Sequence, residues 1–275
     1  MTNGADPHIE KDVSFGRGGD IDLKLDIYHP AGPSKRTAIV QLHGGAFTRG
    51  AKENIAANCR AFAERGYTSL AAQYRLAPDH RWPAQIHDVK AAVRWARANA
   101  GRLNIDPDKI VVAGYSAGAT AALVAAGSNG VSALEGDGGN LGVSSAVAAC
   151  IAYYGTADRK RPASGEDALM RPDATDDDYR QASTITYAAT AVPTAFFHST
   201  GDTTIPMEAS LRLFEAYRAG GAPVEMHIFD GLSHVFDRHP EFLTPTVELC
   251  DRFLDRLVVE PRVYPPFAPG VARPG

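Results

Sequence analysis

Short, continuously apolar segments separated by amphipathic helical patterns run through most of this 275-residue chain. Apolar segments without polar alternation are typical of strands that are covered on both faces, as in a parallel sheet. Six such segments lie at residues 37–42, 68–74, 110–114, 146–154, 194–199 and 224–229. Helical patterns occupy residues 53–65, 83–100, 117–127, 206–219 and 241–258. Their alternation predicts an α/β fold in which helices flank a doubly wound, mostly parallel sheet.

Three other stretches complete the predicted organisation. Residues 20–30 alternate apolar and polar side chains, which is the pattern of a half-buried antiparallel strand. Residues 156–192 form a long polar excursion between two predicted strands, and they are either a lid or a surface loop. Residues 261–275 contain five prolines and are expected to lie extended or disordered. We therefore predict one domain over residues 1–275, with a candidate lid insertion and a proline-rich tail.

Composition argues against several classes of function. The net charge is −4, whereas nucleic-acid binding requires a concentrated basic surface. No apolar run approaches the roughly 18 residues of a membrane span, and the N-terminal residues lack the basic-then-apolar layout of a signal peptide. Cys59, Cys150 and Cys250 are isolated and show neither disulfide nor zinc spacing. We therefore expect a cytoplasmic protein with no nucleic-acid or membrane partner, no metal and no other cofactor.

The segment Gly114-Tyr115-Ser116-Ala117-Gly118 directly follows a predicted strand and precedes an alanine-rich helix. A G-x-S-x-G motif in this context forms a sharp strand-to-helix turn that exposes the serine hydroxyl at the edge of the sheet. The start of the following helix favours negative charge beside that hydroxyl. The sequence therefore predicts Ser116 as a catalytic nucleophile.

A second glycine motif, HGGA at residues 43–46, ends an earlier predicted strand. Acyl transfer develops an oxyanion that must be met by at least two hydrogen-bond donors. Glycine allows the backbone to approach a substrate closely, so the N–H groups of Gly44 and Gly45 are candidate donors, with a third from Ala117. The motif therefore predicts an oxyanion hole.

A nucleophilic serine requires a base, and the chain has nine histidines. His234 follows the last predicted strand in a loop, where its side chain can reach over the edge of the sheet. The other histidines lie in strands, in the HGGA motif or ahead of the nucleophile, except His239 at a helix start. We predict His234 as the base and keep His239 as the alternative.

The acid of the triad should orient the imidazole and hold its tautomer. Asp202 follows the predicted strand at residues 194–199 and gives the order Ser116, Asp202, His234 that this type of fold uses. An N-cap for the next helix is its structural alternative. Asp158, after the preceding strand, remains the rival acid.

Four side chains adjoin these positions and are candidates for the wall of the substrate pocket. They are Phe47, Tyr115, Val235 and Phe236. Position alone supports this prediction, so packing of each side chain into the core remains the alternative.

Two charged groups are expected to serve the structure. Arg75 and Arg81, followed by Asp88, predict a buried ion pair beneath the loops that carry the site. Residues 176–178 are three consecutive aspartates, which resemble a hydrated loop more than a metal site.

Taken together, these motifs resemble the esterase branch of the α/β-hydrolases. The chain is most similar to hormone-sensitive-lipase-like carboxylesterases and to the related bifunctional acetyl-xylan/feruloyl esterase-like group. The resemblance implies an α/β-hydrolase fold with an eight-stranded, mostly parallel sheet flanked by helices. Tyr115 and Ala46 depart from the hormone-sensitive-lipase pattern, and too few residues precede the HGGA motif for that family's helical cap. Tyr115 and the short N-terminal region favour the smaller group and a more open pocket.

The sequence therefore predicts a serine esterase that cleaves short-chain or aryl carboxylic esters through an acyl-enzyme intermediate. An amidase of the arylformamidase type, with the same triad, is the alternative. A non-catalytic receptor on the same fold is a second alternative, although such proteins typically lose the nucleophile or the base. The expected partner is a small-molecule ester, and the resemblance also allows a homodimer formed through the exposed last strand.

Overall fold

The computed structural model describes residues 6–265 of the chain. The strands are β1 (Ile9–Gly18), β2 (Ile21–Tyr28), β3 (Ala38–Leu42), β4 (Thr68–Ala72), β5 (Ile110–Tyr115), β6 (Ala149–Tyr153), β7 (Thr194–Ser199) and β8 (Val224–Phe229). The α-helices are α1 (Ala56–Ala63), α2 (Ala84–Ala98), α3 (Ala100–Leu103), α4 (Ala117–Gly127), α5 (Ser132–Glu135), α6 (Asp176–Gln181), α7 (Glu208–Ala219) and α8 (Pro240–Leu254). Short 3₁₀ segments are Lys52–Ile55, Thr184–Thr190 and Phe236–Arg238, and a π-helical turn, Asp255–Val259, follows α8.

All eight strands form one sheet in the order β1-β2-β4-β3-β5-β6-β7-β8. β1 pairs with β2 and β2 with β4 in antiparallel fashion, whereas every other neighbouring pair is parallel. The chain leaves β3 toward β4 on one side and returns to β5 on the other side. β3 and β5 are therefore the switch point of the sheet, where ligands of open α/β sheets bind beyond the carboxyl ends of the strands.

Two hydrophobic clusters cover the two faces of the sheet. Helices α2, α4 and α7 pack on one face, and α1 and α8 pack on the other. Along β5, Ile110 and Val112 join the first cluster while Val111 and Ala113 join the second. This arrangement explains why the strand sequences are continuously apolar rather than alternating.

The predicted α/β-hydrolase architecture is confirmed, and the seven strands that the sequence located are all present. The eighth strand, β1, was not located because its residues do not alternate cleanly. Register shifts interrupt its pairing with β2 between Glu10 and Val13 and between Ser14 and Gly16. An edge strand with such bulges has weak periodicity in sequence.

The candidate lid at residues 156–192 packs closely against the rest of the domain. The Trp82 N–H donates to the Leu169 carbonyl (2.8 Å), and Arg81 donates to the carbonyls of Asp167 (3.0 Å) and Met170 (2.5 Å). Leu169 and Met170 are buried in the core. Lid motion of this segment stays a prediction.

The three aspartates at residues 176–178 do not form the hydrated loop that their sequence predicted. They are the first turn of α6, which is capped by the Thr175 hydroxyl. Carboxylates are favourable at this position because the N-terminus of a helix carries a partial positive charge. Of the proline-rich tail, residues 261–265 are exposed and without regular structure, while residues 266–275 lie outside the described residues.

The predicted buried ion pair is confirmed between Arg75 and Asp88. The Arg75 Nη2 lies 2.7 Å from Asp88 Oδ1, and its Nε lies 2.9 Å from Asp88 Oδ2. Burial raises the pKa of the Asp88 carboxyl, and the hydrogen bonds from Arg75 offset this effect only in part. Arg81 does not join the pair and instead binds the carbonyls of the 156–192 segment.

Replacing Asp88 with alanine is expected to lower the free energy of unfolding by about 3–5 kcal/mol, because Arg75 would lose its carboxylate partner while staying largely buried. Urea-induced unfolding followed by circular dichroism measures this loss. The matched control is Asp79→Ala at an exposed acidic residue, expected to change stability by less than about 0.5 kcal/mol. A loss below about 1 kcal/mol for Asp88→Ala would show that the pair contributes little to folding.

Within residues 6–265, no helix is long and apolar enough to cross a membrane.

Candidate active site

Ser116 lies at the turn between β5 and α4, at the switch point of the sheet. Its backbone adopts φ 56° and ψ −119°, a strained conformation for a residue with a side chain. The Ser116 N–H donates to the Tyr153 carbonyl (2.9 Å), which ties the turn to the neighbouring strand β6. A Cβ atom at Gly118 would overlap the Leu42 carbonyl, so only glycine lets α4 approach β3 this closely. The geometry is that of a nucleophile elbow.

The structure brings Ser116, His234 and Asp202 together. The Nε2 of His234 lies 2.9 Å from the Ser116 Oγ, and its Nδ1 lies 2.6 Å from the Asp202 Oδ2. Because an ionised carboxylate only accepts hydrogen bonds, Nδ1 is the donor to Asp202 and Nε2 is free to accept the serine proton. The three side chains therefore have the contacts of a nucleophile, a base and an orienting acid.

The Asp202 carboxylate is held from two sides. Its Oδ1 accepts the N–H groups of Thr204 and Ile205, both at 2.9 Å, while Oδ2 faces His234. Burial alone would raise the pKa of Asp202, but the hydrogen bonds from His234 and from the backbone outweigh it and hold the pKa below its usual value. Asp202 is therefore ionised at neutral pH.

His198, a buried residue of β7, supports the loop that carries Asp202. The Nε2 of His198 lies 2.9 Å from the Ile205 carbonyl and 3.4 Å from the Asp202 Oδ2, and its Nδ1 lies 2.7 Å from the Ser210 hydroxyl. Burial lowers the pKa of His198, which favours the neutral ring. His198 thus fixes the loop that carries the acid without adding a second positive charge.

The rival residues have other partners in the structure. Asp158 pairs with Arg212 at 2.6 Å on the surface. His239 is exposed at the start of α8. The geometry therefore favours Asp202 over Asp158 and His234 over His239.

The HGGA loop lies directly against the nucleophile. A Cβ atom built on Gly44 would stand 3.1 Å from the Ser116 Cβ, and Gly45 has φ 126°, where an added Cβ would overlap the Arg49 carbonyl. No hydrogen bond within residues 6–265 engages the N–H of Gly44 or Gly45. Ala117 is the first residue of α4, where a helix leaves its N–H without an intrahelical partner. All three predicted donors therefore adjoin Ser116.

A cavity of about 430 Å³ opens above Ser116 and His234. Apart from these two, its lining residues are Gly44, Gly45, Ala46, Arg49, Gly50, Asn54, Thr204, Val235 and Arg238. Val235, predicted as a wall residue, belongs to this lining. A larger cavity of about 560 Å³ lies between Arg81 and the 156–192 segment, and no triad residue lines it.

The other three predicted wall residues pack into the core. Tyr115 is 3% exposed and stacks on Tyr153, and its hydroxyl donates to Gln41 (3.0 Å). Phe47 packs against Tyr74, and Phe236 is 1% exposed in the cluster under α8. Adjacency in sequence was misleading because neighbouring residues at strand ends and tight turns point in different directions.

Sequence reasoning missed four polar side chains that line the cavity: Arg49, Asn54, Thr204 and Arg238. Three of them lie within four residues of a predicted catalytic or oxyanion residue. The signal that the sequence offered was the basic residue that closes each of the segments HGGAFTR and HVFDR.

A buried polar network lies next to the base, His234. The Tyr154 hydroxyl and the Asn58 amide (3.1 Å) both donate to the Asp237 carboxylate. Burial raises the pKa of Asp237, and these hydrogen bonds oppose that effect. The Tyr154 ring meets the His234 ring edge-on, with centroids 4.6 Å apart. Tyr154 and Asp237 thereby anchor the loop that carries His234.

Among the described residues, one group has the side chains and spacing to hold a metal: His8, Glu10 and His29. Glu10 already accepts hydrogen bonds from His29 (2.6 Å) and Arg102. His29 follows β2 beside the start of β4, whereas Ser116 follows the end of β5. The group is therefore at the opposite end of the sheet from the triad.

Two comparisons of sequence relate the chain to known proteins. The BD-FAE family model matches residues 25–217, more than half of the chain, including Ser116 and Asp202 but not His234. Esterase LipQ of Mycobacterium tuberculosis is 32% identical over 242 residues, which are 82% of this chain and 57% of LipQ. Esterase LipC of the same organism is 31% identical over 259 residues, 87% of this chain and 64% of LipC. The chain thus spans between about half and two thirds of the length of these curated relatives.

Comparison of structures points to the same group. A thermophilic esterase of Thermogutta terrifontis, Est2, has a TM-score of 0.77 and 29% identity, covering 94% of this chain and 96% of Est2. Est2 has also been solved with propionate bound and with butyrate bound. The resemblance inferred from the motifs is confirmed. The chain belongs to the BD-FAE family, the bifunctional acetyl-xylan/feruloyl esterase-like group of the α/β-hydrolase fold.

Proposed function

We propose that this protein is a carboxylic-ester hydrolase that acts on short-chain or aryl esters through an acyl-enzyme intermediate. The observation that carries the proposal is the continuous chain of contacts from Ser116 Oγ through His234 to Asp202, opening into a cavity. The esterase names of LipQ, LipC and Est2 support the same reaction.

In the first half-reaction, the Ser116 Oγ attacks the ester carbonyl while His234 Nε2 takes its proton. Asp202 remains ionised and stabilises the imidazolium that forms. The carbonyl oxygen becomes an oxyanion and accepts hydrogen bonds from the N–H groups of Gly44, Gly45 and Ala117. His234 then gives its proton to the departing alcohol, which leaves the acyl group on Ser116.

In the second half-reaction, water replaces the alcohol. His234 removes a proton from the water, the resulting hydroxide attacks the acyl carbon, and the same oxyanion hole stabilises the second tetrahedral intermediate. Collapse of that intermediate returns the proton to Ser116 and releases the carboxylic acid. Residues of this chain supply every group that these steps require.

The cavity supports a preference for short acyl groups. Its only apolar side chains, among the lining residues, are Ala46 and Val235. Each methylene of a longer acyl chain would gain about 0.8 kcal/mol if it were buried, and only these two apolar side chains line the cavity to bury it. Est2 holds propionate and butyrate, which are acids of that size.

Hydrolysis of p-nitrophenyl acetate, butyrate, octanoate and decanoate by the wild type and by Ser116→Ala tests the proposal. We expect kcat/KM to fall steeply from butyrate to decanoate and the variant to be inactive on all four esters. Labelling of the wild type by a fluorophosphonate probe shows separately whether the serine is reactive.

A wild type that is labelled but inert on all four esters would keep the serine mechanism and contradict the substrate class. A wild type that is neither labelled nor active would overturn the proposed function. The esterases compared above do not favour the arylformamidase alternative. Hydrolysis of N-formyl amides at rates above those of matched esters would revive it.

A further inference from the structure

Two arginines line the cavity above Ser116. Arg49 follows the HGGA loop, and Arg238 ends the short 3₁₀ segment after His234. Both side chains are exposed, and neither forms a salt bridge with a carboxylate among the described residues, although Arg238 acts electrostatically on the buried Asp237 next to it. Arg75 and Arg212, by contrast, each pair with an aspartate.

The lining of the cavity contains no carboxylate. The triad acid Asp202 lies outside this lining. It is 7% exposed, and its oxygens accept hydrogen bonds from His234 and the backbone. The lining residues therefore carry two positive charges and no negative charge. A partly enclosed site of one sign attracts ligands of the opposite sign.

The two arginines belong to two different loops of the cavity. The Arg49 N–H donates to the Gly45 carbonyl (3.1 Å), so its backbone is part of the oxyanion loop. The Arg238 N–H donates to the Val235 carbonyl (3.1 Å), so its backbone is part of the loop that carries the base. The cavity above Ser116 is therefore lined by one arginine from each of these two loops.

Guanidinium groups bind carboxylates through paired, charge-assisted hydrogen bonds, which are stronger than neutral ones. We propose that the substrate is an ester that carries a carboxylate, bound by Arg49 and Arg238. This inference rests on the proposed esterase function and deepens it by naming the substrate class. The class contains two kinds of ester. Monoesters of dicarboxylic acids carry the charge on the acyl side, and acylated hydroxy acids carry it on the alcohol side.

Two matched pairs of esters distinguish these sources of the charge. Monomethyl glutarate carries a carboxylate on the acyl side, and dimethyl glutarate lacks it. 4-Acetoxybenzoate carries a carboxylate on the alcohol side, and its methyl ester lacks it. We expect kcat/KM of the anionic member to exceed that of the neutral member by about 10-fold or more in one pair.

The preference should depend on the two guanidinium groups. Arg49→Gln and Arg238→Gln are each expected to reduce the ratio of anionic to neutral kcat/KM by up to about 10-fold, mainly through KM. Arg49→Lys and Arg238→Lys keep the charge and should retain part of the ratio. Arg218→Gln is the matched control, because this exposed arginine lies on α7 and does not line the cavity.

Salt dependence of the wild type tests the inference without any variant. The ratio should decrease as NaCl rises from about 0.01 M to 1 M, because the screening length shortens from about 30 Å to 3 Å. The inference would be overturned if, in both pairs, the neutral ester were hydrolysed with a kcat/KM equal to or higher than that of the anionic ester, and if the ratio changed neither with salt nor in the two Gln variants. That outcome would leave the esterase proposal standing. No hydrolysis of any ester, together with no fluorophosphonate labelling, would overturn the proposed function and this inference with it.

Discussion

Replacing Ser116 with alanine is expected to reduce kcat on p-nitrophenyl acetate by about 10⁶-fold. The change removes the oxygen that His234 Nε2 contacts at 2.9 Å and leaves the rest of the site in place. Without it, no covalent intermediate forms, and water must attack the bound ester directly. The remaining rate, about 10³–10⁴-fold above that in water, would come from the oxyanion hole and from substrate binding.

Steady-state kinetics measure this loss, with fluorophosphonate titration of the wild type giving the concentration of reactive serine. The matched control is Ser132→Ala at an exposed serine of α5, which should keep the wild-type rate. Thermal unfolding should show that Ser116→Ala is folded, since alanine adopts the same strained backbone at similar cost. A variant that retains more than about 1% of the wild-type kcat would mean that Ser116 is not the nucleophile.

Replacing Asp202 with asparagine is expected to reduce kcat by about 10⁴-fold. The asparagine carbonyl can still accept the N–H groups of Thr204 and Ile205, so its amide –NH₂ would face His234 Nδ1. Nδ1 must then accept a hydrogen bond, which places the ring proton on Nε2. A ring with a proton on Nε2 cannot take one from Ser116, so the base is held in the wrong tautomer.

Asp158→Asn provides the comparison for this variant, because Asp158 was the rival acid and pairs with Arg212 on the surface. Its kcat should stay within about 2-fold of the wild type, since surface ion pairs contribute little. A loss of this size in Asp158→Asn, with Asp202→Asn unchanged, would assign the acid to Asp158. Unchanged KM with lowered kcat is expected for Asp202→Asn, because the acid does not touch the substrate.

Motifs with strict backbone requirements were readable from the sequence. The G-x-S-x-G segment predicted a strained serine, and Ser116 has φ 56° in the structure. The HGGA segment predicted a loop against the nucleophile, where Gly45 has φ 126°. Such positions tolerate few residue types, so their sequence reports their conformation directly.

The directions of flanking side chains were not readable in this way. Val235 lines the cavity, whereas Tyr115 and Phe236 are buried beneath it. Each adjoins a catalytic position, and an aromatic or aliphatic side chain suits either environment. Only the turn geometry around each residue decided which way it points.

The sequence by itself determined the layered α/β architecture and the two glycine-dependent turns, because local periodicity and steric limits act within a few residues. Tertiary structure alone decided which carboxylate meets the imidazole, since Asp202 and Asp158 both follow parallel strands at the same edge of the sheet. It also decided that Arg49 and Arg238 share one cavity. Residues so far apart in the chain become neighbours only when β3, β5 and the final loops converge at the switch point of the sheet. A local sequence pattern contains no information on which distant residues will meet there.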